Sequence, residues 1–207
     1  MIWNLPNILT TLRLLAAPAL AVMFLFFSRP VADWFALLLF VGAAVTDWFD
    51  GYLARSWKQE TKMGAMLDPI ADKAMVLIAL MILVSYSPAH WTPWLVLPAT
   101  LIVFREVFVS GLREFLGDTA GTLKVTKLAK WKTTAQMVAI ATLFSQGIFE
   151  HHLSKRPEDF AGITWVDSAV VWSGRLGLWI LLVAALLTVI TGFDYLKKAL
   201  PHLKETR

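Results

Sequence analysis

Apolar residues run along this chain in long, nearly unbroken stretches rather than in short alternations. Residues 14–27 read LLAAPALAVMFLFF, residues 74–87 read AMVLIALMILVSYS, and residues 176–193 read LGLWILLVAALLTVITGF without a charge. A helix needs about 20 apolar residues to cross the hydrocarbon core of a bilayer, and with their flanks these runs reach or approach that length. The pattern predicts six spans, at 8–28, 33–55, 69–87, 93–115, 131–149 and 168–194. Pro30, Pro88, Pro93, Gly117 and Gly121 stand near their ends, where helix breakers belong. Neither an internal repeat nor a low-complexity segment interrupts the order. The chain reads as one all-α, membrane-embedded domain over residues 1–207, with residues 1–7 (MIWNLPN) as a short interfacial segment before the first span.

Composition sharpens this picture. Of 207 residues, 57% are hydrophobic and only 16% charged, too little polar surface for a water-soluble domain of this size. Trp3, Trp34, Trp91, Trp94, Trp131 and Trp165 stand at run ends, where an amphipathic ring suits the lipid–water boundary. The first run has no basic stretch before it and no clear small-residue cleavage site after it, so it is expected to be a retained helix. The absence of cysteine excludes disulfides and cysteine-based zinc sites.

Basic residues orient the bundle. Arg55, Lys58 and Lys62, then Lys124, Lys127, Lys130 and Lys132, then Lys197, Lys198, Lys204 and Arg207 fall on one side. Arg29, Lys155 and Arg156 fall on the other. The richer side is expected to face the cytoplasm and, with six spans, to hold both termini. The expected location is the cell (inner) membrane.

The chemistry is concentrated in residues 47–72, DWFDGYLARSWKQETKMGAMLDPIAD. Asp47 and Asp50 are three apart and share a helix face that Gly51 and Ala54 extend. Asp68 and Asp72 are four apart on the next helix, with Gly64 one step of four upstream. The spacing predicts two facing stripes at the cytoplasmic ends of spans two and three, each with two carboxylates and a small residue. Carboxylates beside apolar spans are functional candidates, and four together repel unless protonated or bound to cations. An all-oxygen ligand set favours Mg2+ or Mn2+. Two such ions can bind a diphosphate and orient a nucleophile, and Arg55 can reach a phosphate oxygen. Taken singly, Asp50-Gly51 reads as a turn and Asp68-Pro69 as a helix start with Asp68 as its cap. Neither accounts for four acids in register.

The motif Asp47-x2-Asp50-Gly51-x2-Ala54-Arg55-x8-Gly64-x3-Asp68-x3-Asp72 fixes eight positions over 26 residues. At each of them it resembles the signature of the CDP-alcohol phosphotransferase family, whose six-span architecture also agrees. The resemblance implies transfer of a phosphatidyl or related group from a CDP-linked donor to an alcohol, with release of CMP. It implies two divalent cations on Asp47, Asp50, Asp68 and Asp72, with Asp72 as general base for the acceptor hydroxyl. It puts Gly51, Ala54, Arg55 and Gly64 around the CDP group, with Thr61 a looser match. Asn7-x2-Thr10-x2-Arg13 is similar to the family's first-helix pattern near the nucleotide, and also reads as a plain helix start capped by Asn7. A homodimer is a further expectation from the resemblance.

The acceptor is read from the basic residues. Arg105 lies inside an apolar span, Arg113 follows eight residues later as if on the same face, and Lys124, Lys127, Lys130 and Lys132 come next. Anchoring to anionic lipid explains loop lysines well but a charge inside a span poorly. Arg105, Arg113, Lys130 and Lys132 are therefore candidates for binding an acceptor phosphate. Within the family, REVFVSGLREFLG (105–117), KLAKWKTTAQ (127–136) and Gly192-x2-Tyr195 resemble the branch that uses CDP-diacylglycerol and sn-glycerol 3-phosphate. Ala129 departs from that branch, where many members carry Gly. Other acceptors of the same chemistry are inositol phosphate, serine and phosphatidylglycerol. A different class, a cation transporter, would place its acids near the bilayer midplane rather than at the cytoplasmic ends.

Overall fold

The structure, a computed structural model, describes residues 4–57, 61–87, 92–117, 121, 127–157 and 162–203. Within these helices the side chains of residues 6, 44, 47–57, 92, 127, 129 and 130 lie outside the description. Six helices follow in order: α1 Leu5–Phe26, α2 Arg29–Trp57, α3 Lys62–Tyr86, α4 Thr92–Leu116, α5 Lys127–Ser154 and α6 Trp165–Leu203. The described residues contain no strand. Helices satisfy every backbone polar group within one segment, which lipid demands of a spanning element.

The six expected spans map one to one onto these helices, with differences at their ends. Leu5, Pro6 and Asn7 form the first turn of α1, while residues 1–3 lie outside the description. Asn4, not Asn7, caps that helix: its side chain accepts from the Asn7 amide at 3.0 Å. Nor does Asp68 start α3. Thr61 caps it by accepting from the Gly64 amide at 3.0 Å, so Pro69 sits inside the helix. A threonine cap one residue before Lys62 starts the helix earlier than a proline signal suggests. The result carries Asp68 and Asp72 on a formed helical face rather than at a fraying end.

Packing follows the apolar stripes. Ala17, Leu20, Phe40, Met75, Leu80, Ile102, Ile140, Phe144 and Leu181 are buried in one core shared by all six helices. The outward faces are no less apolar: Leu15, Leu25, Leu38, Phe104, Val107, Trp179, Leu186 and Phe193 are exposed. A bundle with aliphatic and aromatic side chains inside and out is suited to hydrocarbon solvent, not to water. Three described helices, within Asn7–Phe26, Pro93–Leu116 and Trp165–Leu203, are long and apolar enough to cross a membrane. Trp34, Trp94, Trp131 and Trp165 are exposed, as interfacial anchors should be. The chain is an integral membrane protein.

One ion pair holds the end of the bundle away from the acidic residues. Arg29 donates from Nε to Asp33 Oδ2 at 3.1 Å, and the Asp33 side chain is fully buried. The Arg29 guanidinium also lies over the rings of Phe24 and Tyr86, at 5.7 and 5.4 Å from their centroids. Arg29→Met would leave a buried carboxylate without its donor. A loss of about 2 kcal/mol is expected, read as a lower melting temperature in detergent with turnover per folded molecule unchanged.

Candidate active site

The site begins with a stripe on α1. Asn7, Thr10, Arg13, Ala17, Leu20 and Phe24 are all buried, spaced by threes and fours as one helix face requires. The lower three are polar, and they face the acidic turn of α3. Thr10 Oγ1 donates to Asp68 Oδ1 at 2.6 Å. Arg13 forks between the two carboxylates, with Nη1 at 3.1 Å from Asp72 Oδ1 and Nη2 at 3.3 Å from Asp68 Oδ1. The cap residue joins the same set, since Thr61 Oγ1 donates to Asn7 Oδ1 at 2.9 Å. Gly64 allows this approach: a Cβ there would stand 2.6 Å from Asn7 Oδ1.

The burial is lopsided. The Arg13 side chain is 7% exposed, whereas those of Asp68 and Asp72 are 51% and 44% exposed. The guanidinium thus braces the carboxylates from the protein side and offsets their mutual repulsion. Two hard oxygen donors one helical turn apart, fixed in rotamer and half accessible, suit a Mg2+- or Mn2+-type ion. Asp47, Asp50, Gly51, Ala54 and Arg55 lie in α2, their side chains outside the description. Among the described residues no three acidic or histidine side chains converge.

A second polar set is built behind this one, inside the bundle. Glu106 on α4 is 7% exposed and Lys132 on α5 is 5% exposed, and the two form an ion pair. Arg105 Nη1 donates to Glu106 Oε1 at 3.2 Å, and Arg105 Nη2 lies 3.5 Å from Thr191 Oγ1 on α6. Ser110 Oγ donates to the Glu106 carbonyl at 2.6 Å and accepts from Lys73 Nζ at 2.6 Å. Gln136 Nε2 donates to Thr188 Oγ1 at 3.0 Å. Close packing of α4 on α6 depends on Gly192, where a Cβ would stand 2.9 Å from Arg105 Cγ. Lys73 directly follows Asp72, so the two sets meet on α3.

Arg105 and Lys132 are therefore brought together, as their expected shared role requires. Arg113 is not. It is exposed and makes no contact with the cluster among the described residues. Eight residues at about 100° each leave about 80° of rotation, enough to turn one side chain inward and the other outward. The side chain of Lys130 lies outside the description.

A profile of the CDP-alcohol phosphatidyltransferase family matches residues 3–190. The chain belongs to that family. It is 60% identical to a CDP-diacylglycerol–glycerol-3-phosphate 3-phosphatidyltransferase of Cereibacter sphaeroides, with 99% of each chain covered. Proteins of the same name from Escherichia coli and Salmonella choleraesuis are each 39% identical, with 95% of each chain covered.

As a CDP-alcohol phosphatidyltransferase family member the chain carries the acidic motif in full, and its polar interior adds residues that sequence reading passed over. Glu106 was visible only as the neighbour of Arg105, and Lys73 only as the residue after Asp72. Gln136, Thr188 and Thr191 are polar residues within apolar runs. Each could have been marked by the rule that buried polar groups need partners. Who pairs with whom was not visible, because the partners lie on four different helices.

Proposed function

We infer that the protein transfers the phosphatidyl group of CDP-diacylglycerol to sn-glycerol 3-phosphate, yielding phosphatidylglycerophosphate and CMP. The observation that carries this reading is the adjacency of Asp72 and Lys73. It sets a carboxylate pair suited to divalent ions beside a cluster that, among the described residues, holds more cations than anions. Relatives of that name, matching over nearly the whole chain, support the same substrates.

Asp47, Asp50, Asp68 and Asp72 would hold two Mg2+ or Mn2+ ions. Bound there, the ions supply charge neutralisation for the donor diphosphate. Thr10 and Arg13 keep Asp68 and Asp72 in position, and Gly51, Ala54, Arg55, Thr61 and Gly64 shape the nucleotide end. Arg105 and Lys132 bind the acceptor phosphate, and Lys130 and Arg113 are further candidates for the same role. Arg105 Nε is buried without a hydrogen-bond partner, a donor that an incoming anion would satisfy. In the transfer the acceptor hydroxyl oxygen attacks the β-phosphorus and its proton passes to Asp72. The bond from that phosphorus to the CMP phosphate oxygen breaks, and CMP leaves. The excess of basic residues on one side supports a site and both termini that face the cytoplasm, with the inner membrane as the expected setting.

Purified protein supplied with CDP-diacylglycerol should release CMP with sn-glycerol 3-phosphate. It should do so poorly with inositol phosphate, serine or phosphatidylglycerol. Chelation of divalent ions should abolish release, and Mg2+ or Mn2+ should restore it. Equal rates with a neutral acceptor would overturn the acceptor assignment, and undiminished release in chelator would overturn the metal assignment.

A further inference from the structure

Among the described residues the buried cluster contains one anion, Glu106. Lys73, Arg105 and Lys132 surround Glu106 from three helices: Lys132 pairs with its carboxylate, Arg105 reaches it at 3.2 Å, and Lys73 reaches the same turn of α4 through Ser110. Lys73 and Arg105 are also within electrostatic range of Lys132. Three like charges driven into a helical bundle repel and are poorly solvated, so an arrangement without a counter-ion would splay open. Asp68 and Asp72 are engaged with Arg13 rather than with this set.

We propose that Glu106 is a positioning residue for the acceptor: its carboxylate holds Arg105 and Lys132 converged before the acceptor phosphate arrives. Lys73 is the third cation of the same pocket. Counted together, Lys73, Arg105, Lys132 and Glu106 carry a net charge of about +2, which complements a phosphate monoester dianion. A carboxylate is a fitting place-holder, since guanidinium and ammonium donors take carboxylate and phosphate oxygens with the same geometry. Glu106 touches neither the reacting phosphorus nor the attacking hydroxyl, and acts through its two cation partners. This inference rests on the acceptor reading given above.

The test is steady-state kinetics in detergent with both substrates varied, for wild type, Glu106→Gln, Glu106→Asp and Lys132→Met. Glu106→Gln should raise the acceptor KM about tenfold or more, the scale for losing one partner of a buried charge pair. Its KM for CDP-diacylglycerol should stay within twofold of wild type. Glu106→Asp keeps the charge on a shorter stem and should recover most of the acceptor affinity. An acceptor KM for Glu106→Gln equal to wild type overturns the proposal, and so does an equal rise in both KM values. If Glu106→Gln fails to fold, Glu106→Asp decides: an acceptor KM raised two- to fivefold with donor KM unchanged supports the proposal, and no selective change overturns it. Lys132→Met separates the two layers. A raised acceptor KM there with an unaltered Glu106→Gln sinks only the role of Glu106. An unchanged acceptor KM for Lys132→Met sinks the acceptor pocket itself.

Discussion

Asp72→Asn should reduce CMP release about a thousandfold or more while leaving the protein folded. Proton transfer by a positioned side chain contributes roughly a hundredfold to ten-thousandfold, and loss of a metal-ligating charge adds to that. The amide keeps an oxygen where Arg13 Nη1 now stands 3.1 Å from Asp72 Oδ1, so the link between α1 and α3 survives. The melting temperature in detergent should therefore move little. Asp68→Asn would retain the Thr10 contact, now 2.6 Å, in the same way, and is expected to weaken metal affinity, raising the Mg2+ concentration needed for activity, more than it alters the pH profile. Single-turnover CMP release, measured with saturating acceptor and a series of Mg2+ concentrations, checks both. Activity of Asp72→Asn within threefold of wild type would remove Asp72 from the chemistry.

Arg105→Gln is expected to produce the second large effect, on the acceptor. The side chain is 14% exposed, is tied to Glu106 and Thr191, and is packed against Gly192. Losing a desolvated cation opposite a phosphate costs about 2–5 kcal/mol, which is roughly thirtyfold or more in acceptor kcat/KM. Glutamine keeps much of the stem, so the contact with Gly192 is largely preserved. Donor binding should be nearly intact, because Asp68 and Asp72 are braced by Arg13 and Thr10 from α1. Isotope-labelled glycerol 3-phosphate incorporation, compared with CDP-diacylglycerol affinity measured without acceptor, separates the two sides. Weakened donor affinity with unchanged acceptor kinetics would move Arg105 to the nucleotide.

What could be read from the chain alone is what depends on near neighbours. Six helices follow from apolar run length, since lipid leaves the backbone no alternative to internal hydrogen bonding. The shared face of Asp68 and Asp72 follows from a spacing of four, and the face of Asn7, Thr10 and Arg13 from spacings of three. Even local signals mislead where two of them compete. Asp68-Pro69 resembles a helix start, but Thr61 begins the helix seven residues earlier. Arg105 and Arg113 seem aligned until the rotation of eight residues is added up. The tertiary structure decided the pairings. Arg13 meets Asp68 and Asp72 across 55 and 59 residues of chain, Glu106 meets Lys132 across 26, and Arg105 meets Thr191 across 86. Such contacts depend on the depth and rotation of each helix against its neighbours. Those are set by where small residues such as Gly64 and Gly192 let backbones approach, and by the core side chains that fill the remaining space. Periodicity within one helix carries no record of either, so the sequence names the polar residues that need partners and the packed bundle assigns them.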